Sequence, residues 1–359
     1  MTHTPLDPRG DLVALMRAIC DVPSVSGDEH ALADLVEDAL RTAPHLEVLR
    51  DGDAVVARTH LGRGSRVVVA GHLDTVPVAD NLPTRLQDGY VWGRGTVDMK
   101  GGVAVALALA TRLTEPTRDV TWVFYDHEEV AADLNGLGRL VRRHPDWLAC
   151  DFAVLGEPSN GGLEGGCNGT LRAEVRLRGV AAHSARAWVG VNAVHAAGEV
   201  LRRLEAYEPR SVEVDGLVYR ESLNAVLITG GTATNVIPDS CVVTVNYRFA
   251  PSLTPQEAQA HVRELFEGYE VVVTDVAAGA RPGLDAPAAQ EFARAVLAVT
   301  GGAPAPKYGW TDVARFAELG VPAVNFGPGD PLLAHTDDER CPLDQVHASF
   351  EALRLWLTS

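Results

Sequence analysis

Apolar positions in the first part of the chain recur at helical spacing and then give way to short unbroken runs. Leu12, Leu15, Met16 and Ile19 form one stripe, and Pro23 stops the predicted helix. Ser26-Gly27-Asp28-Glu29 has the pattern of a capping box, followed by a second stripe of Leu32, Leu35, Val36 and Leu40. Residues 53–58 read as a strand. Residues 66–70, 120–125 and 151–155 are short and almost continuously apolar, as strands buried on both faces are. An alanine- and leucine-rich helix is predicted over 103–113. Strands alternating with helices predict an α/β domain around a mostly parallel sheet, whose functional crevice lies beyond the carboxyl ends of the strands.

The pattern changes near residue 170. Leu171, Ala173, Val175 and Leu177 alternate with Arg172, Glu174, Arg176 and Arg178, a half-exposed strand of period two. A helix over about 192–207, strands at 223–229 and 240–249, a helix over about 254–268 and the run Val271-Val272-Val273 follow. This order predicts a separate α+β domain, residues 170–280, inserted into a first domain of residues 1–169 and 281–359. Helices over 287–300 and 312–319 and a buried strand at 321–326 restore the α/β character. The one-sided strand pattern of the insert offers a sheet edge to a second copy, so a dimer through it is expected.

A chain of 359 residues is long for one core, which agrees with two domains. The formal charge of −17 argues against nucleic acid and anionic membranes as partners. A bound divalent cation would still admit an anionic small substrate, because it reverses the local sign. No apolar run approaches the roughly 20 residues of a membrane span, and the first ten residues lack the pattern of a secretory signal, so a cytoplasmic protein is expected. The five cysteines are scattered without Cys-x-x-Cys spacing and read as reduced.

Strand ends carry the chemistry. Gly71-His72-Leu73-Asp74 ends one buried strand, Tyr125-Asp126-His127-Glu128-Glu129 another, and Gly156-Glu157 a third; Asp98 precedes the helix of 103–113. From His72 it is 26 residues to Asp98, then 31 to Glu129 and 28 to Glu157, each about one βα unit. All can therefore share one sheet edge. His335 follows the insert. Two imidazoles and three carboxylates make a borderline N/O set suited to zinc, with cobalt or manganese possible, and five donors suit two ions sharing one carboxylate. Asp98 also stands where it would cap the following helix. A Gly-x-Ser-x-Gly elbow and a phosphate loop are both missing.

The stretches Gly71-His72-Leu73-Asp74-Thr75-Val76-Pro77, Gly93-Arg94-Gly95-Thr96-Val97-Asp98-Met99-Lys100, Glu128-Glu129 and His335 resemble the di-zinc aminoacylase/carboxypeptidase family of metallopeptidase-like amidohydrolases. The resemblance runs over nearly the whole chain. Asn235-Val236-Ile237-Pro238, Tyr247-Arg248-Phe249 and Lys307-Tyr308-Gly309-Trp310-Thr311-Asp312 are similar to the members that release succinate from an N-succinyl diamino acid. The resemblance implies a zinc-aminopeptidase-like catalytic domain with a ferredoxin-like dimerisation or lid domain inserted. It implies two Zn2+ per subunit, with Co2+ as a substitute. His72 and Glu157 would bind one zinc, Glu129 and His335 the other, and Asp98 would bridge them.

By the same resemblance, Asp74 would fix the tautomer of His72, Glu128 would be the general base, and His183 would reach the active site of a partner subunit. Asn235, Arg248, Thr311, Arg186 and Lys307 are the candidates for binding a substrate with several carboxylates. Members that remove acetyl groups or cleave dipeptides share the zinc site, so the acyl group and amine stay open. A zinc-dependent binding protein on this fold would lack a base, and Glu128 is present. Cys167-Asn168-Gly169, where many relatives carry arginine, and Trp310, where others have glycine, depart from the family pattern.

Overall fold

The computed structural model describes residues 4–359. They fall into two compact units. One comprises the residues up to Gly165 with Pro282–Ala305 and Thr311–Ser359; the other comprises Gly166–Arg281 and Pro306–Trp310.

In the first unit, among the described residues, one sheet is built on Asp119–Tyr125, Arg66–His72, Phe152–Leu155 and Ala323–Asn325, neighbours in that order and parallel. Ala54–Arg58 runs antiparallel beside Asp119–Tyr125 and is followed outward by Glu47–Asp51. Asp119–Tyr125 is buried at every residue and Arg66–His72 at all but the first, which is why both read as unbroken apolar runs. The helix Lys100–Arg112 is buried along all but its last residue, so its composition of Ala, Leu, Val and Gly reflects its central place. Gly102 serves a close approach: a Cβ there would stand 2.1 Å from the carbonyl oxygen of Gly156, where the Phe152–Leu155 strand ends. The helix start is thereby brought against the strand end that leads to Glu157.

Because the four strands are parallel, their carboxyl ends lie together. His72 is in register with Tyr125, Ala70 with Leu155, and Leu155 with Asn325. Every stretch carrying a predicted ligand leaves the sheet at this edge, apart from Asp98, which stands just before the central helix. A small sheet of Arg85–Gln87, Tyr90–Trp92 and Arg340–Pro342 and a C-terminal helix Leu343–Thr358 also belong to the unit; neither is among the elements predicted above.

The capping-box expectation at Ser26–Glu29 is overturned. The helix His30–Arg41 begins with Glu29 in helical conformation and no side-chain cap. The Ser26 hydroxyl donates instead to Asp74 at 2.7 Å, and Glu29 is buried at another strand end.

The second unit runs strand, helix, strand, strand, helix, strand: Gly169–Arg178, Ala193–Glu205, Ser222–Gly230, Ser240–Phe249, Pro255–Leu265 and Glu270–Ala277. Its sheet order is second, third, first, fourth strand, with every neighbour antiparallel, the ferredoxin-like arrangement. The alternation read at 171–178 points Leu171, Ala173, Val175 and Leu177 into a core shared with Val200, Val245 and Val262. Pro306–Trp310 joins this unit: Asn168 N–H donates to the Lys307 carbonyl and the Trp310 indole to the Ala278 carbonyl.

Candidate metal centre

His72 is the last residue of its strand and is buried. Its Nδ1 lies 2.9 Å from the Asp74 carbonyl oxygen and 3.4 Å from the Asp74 carboxylate, which leaves Nε2 facing Asp98 Oδ1 at 3.2 Å. The other oxygen of Asp98 lies 3.4 Å from His335 Nε2, and that imidazole also meets Glu129 Oε1 at 2.9 Å. The two oxygens of Asp98 therefore face different histidines. Candidate ligand atoms of His72, Asp98 and Glu157 fall within 4.8 Å of one another, and so do those of Asp98, Glu129 and His335. Two overlapping donor groups with Asp98 in common fit a pair of divalent cations, with three donors each and room for water or substrate. A third such group is His72, Glu128 and Glu129.

The electrostatics agree with a site built for cations. Burial opposes charge on His72, but the carboxylates of Asp74 and Asp98 hold its imidazole well above the ordinary histidine range. Hydrogen bonds to Asp98 and Glu129 push His335 up to about 10. Burial, and after it the neighbouring carboxylates of Glu129 and Glu157, push Glu128 well above the usual carboxylate range against the pull of His72. Burial, then Asp98, lifts Glu129. Without metal these carboxylates meet positive charge as protons on imidazoles, and divalent cations replace such protons when they bind.

Asp74 does more than face His72. It is fully buried; Oδ1 accepts the Glu128 N–H and Oδ2 the Glu129 N–H, both at 3.0 Å. Burial raises its carboxyl, but the His72 imidazole first, and after it the Glu129 N–H and the Ser26 hydroxyl, keep it low, at about 2. The tighter partner of the His72 ring is the Asp74 backbone carbonyl; the carboxylate grips the turn that presents both glutamates. Glu29, 98 residues away in sequence, accepts the His127 N–H at 3.1 Å in that same turn, where His127 sits at φ 59°. Asp126, which reads as a loop residue, is buried and paired with Arg139 at 2.6 Å. Asp98 does not cap the central helix, whose N-cap is Met99 without a side-chain bond.

Ser26, Glu29, Arg94 and Glu339 are site residues that sequence reasoning missed. Their partners lie far off in the chain; the local pattern at Ser26 and Glu29 points to a helix cap instead, and no spacing links Arg94 with Glu339.

The substrate-binding candidates divide between the two units, and those of the second unit do not gather at one place. Thr311 is buried in the first unit and donates to Asn325 Oδ1 at 2.9 Å. In the second unit His183 pairs with Val236 across a two-residue ladder, and the Ser184 N–H donates to the Asn235 carbonyl. With Arg186 two residues further on, these form one exposed corner. Arg248 lies at the far end of Ser240–Phe249, where it pairs with Thr170, while Lys307 is buried beside Asn168. Eight residues of strand from Ser240 to Arg248 span roughly 26 Å at the ordinary rise.

Residues 68–359 match the model of Peptidase family M20/M25/M40. The chain is 54% identical over 355 residues to a putative succinyl-diaminopimelate desuccinylase of Mycobacterium tuberculosis, covering 98% of this chain and 99% of that protein. It is 47% identical to a succinyl-diaminopimelate desuccinylase of Corynebacterium glutamicum, covering 98% of each. Among solved structures, a dinuclear metal binding peptidase of the M20 family from Bacillus subtilis superposes with a TM-score of 0.69 at 17% identity, over 96% of both chains. The chain belongs to the peptidase family M20/M25/M40.

Proposed function

We propose that this protein hydrolyses the amide bond of N-succinyl-L,L-2,6-diaminopimelate, releasing succinate and L,L-diaminopimelate, with two divalent metal ions, zinc or in its place cobalt. The observation that carries the metal reading is the division of Asp98 between the two histidines, 3.2 Å on one side and 3.4 Å on the other. His72 and Glu157 would hold one ion, Glu129 and His335 the other, with Asp98 common to both. Such ions polarise the amide carbonyl and lower the pKa of a water. The B. subtilis peptidase of this fold is described as dinuclear. The acyl group and the amine rest on the two desuccinylases that the chain matches over nearly its full length.

Glu128 is the base. It stands beside the ligand Glu129 in a turn fixed by Asp74, and burial gives its carboxyl a high affinity for a proton. It takes a proton from the attacking water. The water oxygen bonds to the acyl carbon, the C–N bond breaks, and Glu128 returns the proton to the leaving nitrogen. The products are a carboxylate and an amine.

Assembly as a two-fold dimer through the second unit belongs to the same reading. Ser222–Gly230 is an edge strand on which Val226, Leu227 and Ile228 are 58%, 57% and 48% exposed in succession. The His183 corner and Arg248 lie too far apart to touch one small molecule. If both serve substrate, they serve different sites, and His183 stabilises the oxyanion in the partner's.

The test is purified protein given a panel of N-succinyl amino acids, N-acetyl amino acids and dipeptides, following free amine. N-succinyl-L,L-2,6-diaminopimelate should turn over fastest. Chelation should abolish the reaction, and zinc or cobalt should restore it. Full activity in thoroughly metal-free protein overturns the metal reading, and a faster N-acetyl substrate or dipeptide overturns the substrate.

A further inference from the structure

His335 is presented differently from the other donors. Its ring is half exposed, its backbone is left-handed at φ 65°, and it belongs to no strand or helix. Its position is therefore set by what holds the chain immediately after it. That segment is held by a buried ion pair, beside the bonds from the Gly93 N–H to the Glu339 carbonyl and from the Asn81 amide to the Asp337 carbonyl. Glu339 and Arg94 are 1% and 3% exposed and meet at 2.8 Å. Arg94 also donates to the Thr336 carbonyl at 3.2 Å, next to His335, and to the Pro77 carbonyl at 3.1 Å. Glu339 uses its other oxygen on the Asp98 turn, accepting the Val97 N–H at 2.9 Å and the Asp98 N–H at 3.2 Å. Beyond it, Arg340 pairs with Trp92 and lays its guanidinium over that ring at 4.5 Å.

The pair thus ties the His335 segment to the backbone of Asp98, across about 240 residues of sequence. His72 is held apart from the pair, by its place at the end of Arg66–His72 in register with Tyr125 and by the Asp74 carbonyl. Glu157 follows the strand Phe152–Leu155 directly.

We propose that Arg94 and Glu339 are positioning residues for one of the two metal sites, that of Asp98, Glu129 and His335, and set its affinity far more than that of the site on His72 and Glu157, which has only Asp98 in common with it. The inference rests on the dinuclear reading above. Loss of the pair loosens Asp98 and His335, two of the three donors of one site, whereas the other, which shares Asp98, keeps His72 and Glu157 in place. Removing outer partners of metal ligands typically costs 10–100-fold in affinity, and here that loss falls mainly on one equivalent.

The experiment titrates metal-free protein with Co2+, following visible absorption, and counts bound metal after dialysis. Wild type should take up two equivalents. Glu339→Gln should bind one equivalent within about threefold of wild type and the second about 10–100-fold more weakly. Because Glu339→Gln leaves the Arg94 charge buried without its partner, the double variant Arg94→Met/Glu339→Gln, which removes both charges, is titrated beside it, with circular dichroism confirming the fold. Raising free Co2+ about 100-fold should refill the weakened site. Equal weakening of both equivalents, weakening of neither, or failure of both variants to fold overturns the inference. A wild type that binds fewer than two equivalents instead overturns the dinuclear reading, and the inference falls with it.

Discussion

Replacing Asp74 by asparagine separates two roles for a residue that contacts both His72 and the glutamate turn. Each carboxylate oxygen accepts one backbone N–H, from Glu128 and from Glu129, at 3.0 Å, in a fully buried place. An amide has one acceptor oxygen, so in either orientation its NH2 faces a backbone donor. One N–H is then left without an acceptor, which costs about 1–3 kcal/mol, and the surviving bonds lose their charge assistance, worth about 1 kcal/mol more. The sum is about 2–4 kcal/mol. For a unit of this size each kcal/mol moves the midpoint by about 2–4 °C, so Asp74→Asn should melt roughly 4–16 °C lower in metal-free protein. The His72 ring keeps its 2.9 Å bond to the Asp74 carbonyl, so zinc content at saturating metal should persist. Turnover should still fall about 100-fold, since misplacing a catalytic group by about 1 Å costs that much. Scanning calorimetry, metal analysis and steady-state kinetics together are the assay. A variant that melts within about 1 °C of wild type and turns over within about threefold would refute the clamp; one that loses its zinc would show that the carboxylate chiefly orients His72.

Glu128→Gln should keep both metal ions by elemental analysis while kcat falls by about 10²–10⁴, the usual worth of a general base; near-normal turnover would place the base elsewhere. Asp119, at the opposite edge of the sheet, accepts from the Leu61 N–H, the Thr59 hydroxyl and the Arg63 N–H, which hold its carboxyl below the ordinary range although burial works against them. A depressed folded pKa gives stability that is present above the unfolded value of about 3.9 and is lost as pH falls below it. Asp119→Asn should therefore cost about 1.5–3 kcal/mol at pH 7 by urea denaturation, with a smaller gap at about pH 3; an equal gap at both would rule out the charge as the cause. Mixing His183→Ala chains with Glu128→Gln chains tests donation across a dimer: each homodimer should be nearly inactive, and mixed dimers should recover up to half of wild-type activity. Mixed dimers that form and stay inactive would return His183 to its own chain.

What the sequence made legible follows from how local each signal is. The runs at 66–70 and 120–125 announce buried parallel strands because burial on both faces leaves no polar position, and a ligand at such a strand's end is placed by the strand itself. The alternation at 171–178 announces the second unit because its strand is buried on one face only. The Ser26–Glu29 stretch shows where local reading fails. Its residues fit a capping box, yet Ser26 bonds Asp74, 48 positions away, and Glu29 bonds His127. Burial beside the centre outbid the helix end for these side chains. Arg94 and Glu339 lie 245 positions apart and carry no spacing signal. The return of Pro306–Trp310 to the second unit is decided by Asn168 and Ala278, again distant partners.

These distant contacts share a physical pattern. Turns leaving the carboxyl ends of parallel strands have backbone N–H groups with no strand neighbour to accept them. In this protein buried carboxylates accept them, Asp74 those of Glu128 and Glu129 and Glu29 that of His127, and Glu339 does the same for Val97 and Asp98 in the turn before the central helix. Each arrangement fixes the backbone under a donor before any cation arrives, so less reorganisation accompanies binding. Burying anions has a cost, visible in the upward push of burial on Glu29 and Glu339. Asp74 grips the turn of Glu128 and Glu129, whereas Glu339 grips that of Asp98 and, through Arg94, the segment after His335. The two perturbations should therefore leave different signatures. Asp74→Asn should act mainly on turnover at saturating metal, and Glu339→Gln on the affinity of one metal equivalent. If the two variants showed the same signature, the centre would be held as a single block rather than from two sides.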